Sequence, residues 1–172
     1  MKSISLTQGS AEWHAHRAIH RNASDTPAVL NCSPYKTRDQ LVKERATGMS
    51  PDVDAGTQRL FDAGHEAEAL ARPKAEALIG DDLYPVVGVE GIWSASFDGL
   101  TMDGSIAWEN KLVNQSLREV MQDGCDGGEL PLHYRLQMEH QLMVSGADRV
   151  LFTAAKGDEF YHCWYTQDSD LR

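Results

Sequence analysis

The chain has few of the features that mark secreted, membrane or metal-cluster proteins. Its only cysteines are Cys32, Cys125 and Cys163. They are odd in number, far apart and never in a C-x-x-C pair, so we expect reduced thiols and no zinc or iron–sulfur site. No apolar run approaches the roughly 20 residues of a membrane span, and the first residues lack the apolar core of a signal peptide. These absences predict a cytoplasmic protein without a membrane partner.

Positive charge is also scarce in this chain. Sixteen Lys and Arg stand against 26 Asp and Glu, which gives a formal net charge of −10. A protein that merely coats nucleic acid is expected to be basic, so the charge argues against that class. A nuclease is still compatible with it, because a nuclease needs only a local basic channel and its metal site itself uses carboxylates.

Length and element order indicate one domain of mixed α/β layers. The 172 residues suffice for one domain with a real core and are too few for two ordinary ones. We predict a helix that Ser10 caps, a short helix from Asn22 or Ser24, a helix that Thr37 caps, and a loop at 48–56. The next predicted helix spans 58–70, is interrupted at Pro73 and resumes to Ile79. Two further helices are predicted at 114–123 and 131–144. The predicted strands span 83–90, 92–97, 106–111, 149–155 and 160–165, the last two forming a hairpin.

The edge of the last predicted strand needs a cover. Only a few residues follow it, up to Arg172. An uncovered sheet edge is a liability, so we expect either a further C-terminal helix or a neighbouring subunit to cover it.

Two short segments bring carboxylates and a lysine together. Asp98 precedes Gly99, and Glu109-Asn110-Lys111 follow after a gap rich in turn formers. If 106–111 is a strand, Glu109 and Lys111 point to the same side. An Asp and a Glu can chelate a hard divalent cation, and an ammonium group beside them can stabilise charge or position a nucleophile. The spacing therefore predicts a metal site that cleaves phosphodiesters.

Each of these residues also has a purely structural interpretation. Asp-Gly is a common turn signal, and Glu109 with Lys111 could form the solvated face of an amphipathic strand. Trp108 and Leu112 make the other face apolar, and the combination with Asp98 favours the metal site. Lys111 could act as a general base, but neighbouring carboxylates favour its charged form. We therefore predict that Lys111 orients water and stabilises the transition state.

Five motifs occur in an order that is typical of one nuclease family. They are Trp13-His14-Ala15-His16-Arg17, Ala23-Ser24-Asp25, Gly64-His65-Glu66-Ala67-Glu68 with Arg72, Ser96-Phe97-Asp98-Gly99 with Glu109-Asn110-Lys111, and Tyr134-Arg135-Leu136-Gln137. In this arrangement the chain resembles the phage-type alkaline exonucleases of the YqaJ and lambda-exonuclease kind, within the PD-(D/E)XK nuclease superfamily. The resemblance covers about residues 9–165, and the usual proline before the catalytic Asp is Phe97 here. It implies a single nuclease domain over 1–172, with a restriction-endonuclease-like core in which α-helices flank a mixed central β-sheet.

The resemblance also implies roles for individual residues. Glu68 would be a further acidic ligand, direct or through water, and the backbone carbonyl of Asn110 another oxygen ligand. Gln137 would orient the attacking water. The implied phosphate contacts, which in the family hold a terminal 5′ phosphate, are Arg17, Ser24, Ser96 and, in a looser alignment, Arg118. The histidines of the first motifs are interpreted as surface or packing residues.

These features together predict an Mg²⁺-dependent DNA exonuclease, with Mn²⁺ as a substitute ion, that digests linear double-stranded DNA from a 5′ end. The polarity, a role in phage-type recombination, a trimeric ring around DNA and a single-strand annealing recombinase as partner follow from the resemblance alone. One alternative is a structure- or sequence-specific endonuclease on the same fold. Another is a catalytically idle DNA-binding or assembly protein, against which the intact Asp98, Glu109 and Lys111 argue.

Overall fold

A mixed β-sheet forms the centre of the computed structural model, which describes residues 1–49 and 54–172. Its strands are β1 (Lys2–Ile4), β2 (Arg21–Asn22), β3 (Tyr84–Glu90), β4 (Trp93–Leu100), β5 (Ile106–Leu112), β6 (Arg149–Lys156) and β7 (Glu159–Thr166). The order is β1-β3-β4-β5-β6-β7, with β2 beside β4. Strands β5 and β6 are parallel, and β6 and β7 form the predicted antiparallel hairpin. The predicted α/β class is confirmed.

Helices flank this sheet. They are α1 (Ala11–Ile19), α2 (Thr26–Val29), α3 (Arg38–Thr47), α4 (Ala55–Ile79), α5 (Gln115–Met121) and α6 (Leu132–Ser145). The predicted caps of α1 and α3 are confirmed, because Ser10 accepts the N–H of Trp13 and Thr37 forms a capping box with Gln40. The predicted short helix from Asn22 is a 3₁₀ turn, Ala23–Asp25, that leads into α2. None of the described helices is long and apolar enough to cross a bilayer.

Helix α4 departs from the prediction that Pro73 interrupts it. It runs unbroken through Pro73 for 25 residues. A proline deprives the carbonyl four residues earlier of its N–H partner, and here both Pro73 and Ala69 are exposed, so water can bond that carbonyl. On the opposite side, Ala67, Ala71 and Ala75 are buried and pack against the sheet. Packing on this side keeps the helix continuous.

The predicted loop at 48–56 is shorter than expected at the end that leads into α4. Gly48 ends α3 in the left-handed conformation, as predicted. Asp54 accepts the N–H of Thr57 at 2.7 Å and starts α4 at Ala55, earlier than the sequence pattern indicates. Positions 50–53 of the predicted loop lie outside the described residues.

Strand β4 has a gap along one edge. Strand β3 pairs with one edge at both Trp93 and Leu100, so β2 and β5 share the other edge. Strand β2 pairs there with Trp93 and Ser94, and β5 pairs only with Gly99 and Leu100. Among the described strands, none pairs with residues 95–98 on that edge. The two carboxylates of interest lie where β4 and β5 separate.

Gly99 is required by packing next to this gap. A Cβ atom at Gly99 would lie 2.8 Å from Cβ of Leu83 and 3.1 Å from Cε3 of Trp108, which is too close. Trp108 is fully buried there and donates from Nε1 to the hydroxyl of Thr153 at 2.8 Å. Asp98 and Gly99 therefore lie inside strand β4, and the alternative interpretation of Asp98 as a turn residue is wrong.

His140 fixes the junction between α6 and the segment around α2, and this predicts a pH-dependent stability. The side chain is 6% exposed, and its Nδ1 lies 2.7 Å from the hydroxyl of Thr26. Burial lowers the pKa of His140 from 6.5 to about 4, although the nearby Asp25 acts in the opposite direction. Above pH 6.5 the imidazole is neutral in the folded and unfolded states. As the pH falls from 6.5 to 4, only the unfolded chain gains the proton, which costs about 3 kcal/mol of stability.

Urea unfolding of the wild-type protein and His140→Asn tests this expectation. Asparagine can still bond Thr26 but does not titrate. The difference in unfolding free energy between the two proteins should shift by about 3 kcal/mol against the wild type between pH 7.5 and pH 4. A difference that stays constant over this range would contradict the burial of a neutral His140.

Candidate active site

Asp98 and Glu109 face each other across the gap between β4 and β5. The last ladder pair joins Gly99 to Trp108, and beyond it the carboxylate of Asp98 accepts the N–H of Asn110 at 2.8 Å. A side-chain bond thus replaces the next backbone bond of the sheet. The half-buried Asp98 lies beside Glu109, which is 3% exposed. The structure therefore brings the two predicted ligands together.

Glu109 is held from three directions. Gln137 donates to its Oε1 at 2.7 Å, Gln141 donates to its Oε2 at 2.6 Å, and the ammonium group of Lys111 contacts Oε1. Gln137 and Gln141 are one turn apart on α6, so a single helix face holds both carboxylate oxygens. Gln141 also donates to the carbonyl of Ser96 on β4 at 3.2 Å. Helix α6 thereby fixes Glu109 relative to both strands.

Asp98 and Lys111 each shift the pKa of the other, and Glu109 shifts the pKa of both. Burial, and then the neighbouring Glu109, raise the pKa of Asp98 well above its usual value, although Lys111 acts in the opposite direction. Burial alone would lower the pKa of Lys111, but Glu109 and Asp98 outweigh it, so the net pKa of Lys111 is raised. The direction of this pKa shift favours the charged form of Lys111.

Glu68 reaches the site through Arg72. Arg72 donates to Glu68 at 2.9 Å, to the backbone carbonyl of Asp98 at 2.7 Å and to that of Leu83 at 2.9 Å. Its guanidinium also lies 4.8 Å from the ring centroid of Trp108. Glu66, two residues from Glu68 on the same helix, is exposed. Arg72 therefore joins α4 to the strand that carries Asp98.

The residues proposed to contact phosphate fall into two groups. Arg17 bonds Asp25 at 3.2 Å, its guanidinium lies 4.7 Å from the ring centroid of Trp13, and Trp13 donates to the hydroxyl of Ser96 at 3.3 Å. Ser24 is exposed next to Asp25 in sequence. The structure does not bring Arg118 to this group. Arg118 bonds Glu159 at 2.8 and 3.0 Å, on a strand two places from β5 in the sheet.

Three contributors to the site were missed or ranked low from sequence. Arg72 is predicted only as part of a motif, and neither Gln141 nor Arg45 is among the predicted site residues. Arg45 contacts the backbone carbonyl of Arg17 and bonds Asp25 at 2.5 Å. Helical spacing could have indicated the first two, because Arg72 and Gln141 each follow a predicted site residue by four positions. Arg45 offers no such signal, since its partner is on another element.

The donor set at the site fits a hard divalent cation. Asp98, Glu109 and Glu68 contribute three carboxyl groups, and Lys111 and Arg72 contribute two positively charged groups. Within residues 1–49 and 54–172, no three His, Cys, Asp or Glu side chains are arranged to hold an ion by themselves. A cation here would need the backbone carbonyl of Asn110 in addition to two carboxylates, and all of these donors are oxygens.

Comparisons with known proteins agree with this architecture. The structure is similar to an alkaline exonuclease (LHK-Exo) from Laribacter hongkongensis, with a TM-score of 0.72 and 22% identity over 94% of this chain and 84% of that chain. For LHK-Exo in complex with dAMP the TM-score is 0.69, at 22% identity over 94% and 85%. For a phage-related exonuclease from Haemophilus somnus 129PT it is 0.63, at 10% identity over 92% and 89%. These likenesses concern the fold.

Sequence comparison identifies the family. A search of curated proteins finds no match. The model of the YqaJ-like viral recombinase domain matches residues 12–148, which is most of the chain and includes every predicted site residue. The resemblance inferred from the motifs is thereby confirmed, and the chain belongs to the YqaJ-like viral recombinase family.

Proposed function

We propose that the protein is an Mg²⁺-dependent exonuclease that hydrolyses phosphodiester bonds of linear double-stranded DNA in the 5′ to 3′ direction. The observation that carries the proposal is the buried Glu109, held by Gln137, Gln141 and Lys111 directly beside Asp98. Burying a carboxylate is costly unless it is paired, and this arrangement concentrates carboxylates where β4 and β5 separate. The family and the fold of its exonuclease neighbours support the same activity.

Asp98, Glu109 and the carbonyl of Asn110 would hold the metal ion, with Glu68 adding negative charge beside it. When bound, Mg²⁺ or Mn²⁺ supplies positive charge at the phosphate and lowers the pKa of coordinated water. The charged Lys111 orients the attacking water and stabilises the negative charge that develops on the phosphate. Gln137 fixes Glu109 through its amide N–H, and its carbonyl oxygen can accept a hydrogen bond from that water.

Arg17, Ser24 and Ser96 would hold the phosphate at the DNA end. A guanidinium forms paired hydrogen bonds with phosphate oxygens, and hydroxyl groups add further donors. Arg17 already bonds Asp25 and lies against Trp13, so its side chain is oriented before any ligand binds. Arg118, which Glu159 holds, would contact DNA outside this group.

Digestion of end-labelled linear duplex tests this proposal. With Mg²⁺, we expect mononucleotides to be released from the 5′ end, faster when that end carries a phosphate, and no release in EDTA. Closed circular DNA of the same sequence is the control. If the circle is cut as readily as the linear duplex, the protein is an endonuclease. If neither is cut with Mg²⁺ or Mn²⁺, it is a catalytically idle binding or assembly protein.

The assembly that we propose with this activity is a homotrimeric ring around DNA, acting with a single-strand annealing recombinase in phage-type recombination. Its support is membership of the recombinase family. Light scattering would give three times the mass of the 19.1 kDa chain.

A further inference from the structure

A short loop between α2 and α3, residues 31–36, is rigidly built. Asn31 adopts the left-handed conformation with a φ of 58°, which a non-glycine residue seldom does. The N–H groups of Cys32 and Ser33 both bond the carbonyl of Pro27, at 2.9 and 3.1 Å. The hydroxyl of Ser33 then accepts the N–H of Tyr35 at 3.2 Å. The backbone that carries Tyr35 is therefore fixed in place.

Tyr35 presents its ring to solvent although its hydroxyl is anchored. The residue is 73% exposed. Its hydroxyl lies 3.2 Å from that of the buried Tyr134, which also receives a hydrogen bond from Asn114 at 3.1 Å. A large aromatic residue fixed at its tip and at its backbone, yet uncovered on its ring, is suited to receive a flat ligand.

Tyr35 packs against the helix that holds Glu109. Tyr35 is among the groups that raise the pKa of Lys111. His133 packs edge-on against Tyr35, with ring centroids 5.9 Å apart, and lies one turn before Gln137 on α6. Nε2 of His133 is buried, and no hydrogen-bond partner for it occurs among the described residues. The exposed aromatic ring thus adjoins the end of α6 that precedes Gln137, which bonds Glu109.

We propose that Tyr35 is a positioning residue whose ring stacks on the nucleobase next to the scissile phosphate. Every base has an aromatic face, so such stacking holds the strand without selecting its sequence. This inference rests on the proposed function, because it places a DNA strand at Lys111.

Cleavage of duplexes with and without a base at the contacted position tests the proposal. The substrates carry an abasic residue at the first or the second nucleotide of the digested strand. We expect Tyr35→Ala to lower kcat/KM on normal duplex about tenfold and Tyr35→Phe to stay near wild type, since stacking needs the ring. At one of the two positions the abasic residue should slow the wild type to a similar degree and slow Tyr35→Ala no further. The matched control is Tyr84→Ala, which removes another exposed tyrosine ring.

Two outcomes would overturn the inference. One is full activity of Tyr35→Ala, and the other is an equal penalty from the abasic residue in the wild type and in Tyr35→Ala at both positions. Thermal unfolding of each variant verifies folding. Binding of the same duplexes in Ca²⁺, followed by fluorescence anisotropy, separates this inference from the proposed function. In one outcome the abasic residue weakens duplex binding by the wild type but not by Tyr35→Ala, and no duplex is cleaved. The exonuclease proposal then fails, and the role of Tyr35 stands.

Discussion

Lys111→Ala is expected to lower the rate of duplex cleavage by about a thousandfold, the upper range for losing one preorganised charge-stabilising group. In the wild type, Lys111 contacts Glu109 and offsets part of the charge of three carboxylates. Without it, Arg72 is the cation that remains beside Asp98 and Glu68. The negative charge that develops on phosphate in the transition state then has no ammonium group beside it. Single-turnover cleavage of linear duplex with saturating Mg²⁺ measures this loss directly.

Two further variants define the role of Lys111. Lys111→Arg keeps the charge without a titratable amine, so it should retain part of the activity if Lys111 orients water as a cation. It should be as slow as Lys111→Ala if Lys111 were a general base. Lys43→Ala, which removes an exposed lysine on α3, is the control and should cleave normally. Wild-type rates for Lys111→Ala would remove Lys111 from the mechanism.

Gln141→Glu is expected to lower the free energy of unfolding by about 3–5 kcal/mol, the usual cost of an unpaired buried charge. The fully buried amide donates to Glu109 at 2.6 Å, and the substitution replaces this donor with a second carboxylate at the same place. Repulsion and burial then act together, and Glu109 is displaced. Urea unfolding at pH 7.5 gives the change in stability, and duplex cleavage should be lost as well.

Two matched variants separate charge from packing at this position. Gln141→Met keeps the side-chain length but removes the donor, so it should cost about 1–3 kcal/mol. Gln8→Glu makes the same chemical change at an exposed site and should change stability by less than about 0.5 kcal/mol. If Gln141→Glu were as stable as Gln8→Glu, the Gln141–Glu109 contact would not exist in the folded protein.

The features that could be predicted from sequence depend on local periodicity. Alternation along β5 places Glu109 and Lys111 on one side, and the helical spacing in α6 places Gln137 toward them. Caps such as Ser10 and Thr37 are also local, because the side chain bonds a backbone group only three residues away. These patterns can be recognised in the sequence without knowing the rest of the fold.

The features that could not be predicted depend on partners far away in sequence. Strand β1 exists because Lys2–Ile4 pair with β3, and no periodicity marks so short a segment. Pro73 is tolerated because other residues of α4 are buried against the sheet. Arg72 and Gln141 matter through contacts to β4 and β5 that only the folded sheet creates. Tyr35 offers no local signal either, because its hydroxyl contacts Tyr134, which lies 99 positions later in the sequence.

The early end of the ladder between β4 and β5 leaves Asp98 and Glu109 on neighbouring strands that no backbone pair joins at their level. Between Asp98 and Asn110 the strands are joined by a side-chain hydrogen bond, whereas β5 and β6 are paired over seven residues. A charged ligand that enters the gap can draw Asp98 toward Glu109 without breaking a backbone pair. Because β6 pairs with β5 on either side of Glu109, we expect any adjustment to ligands of different radius to occur at Asp98.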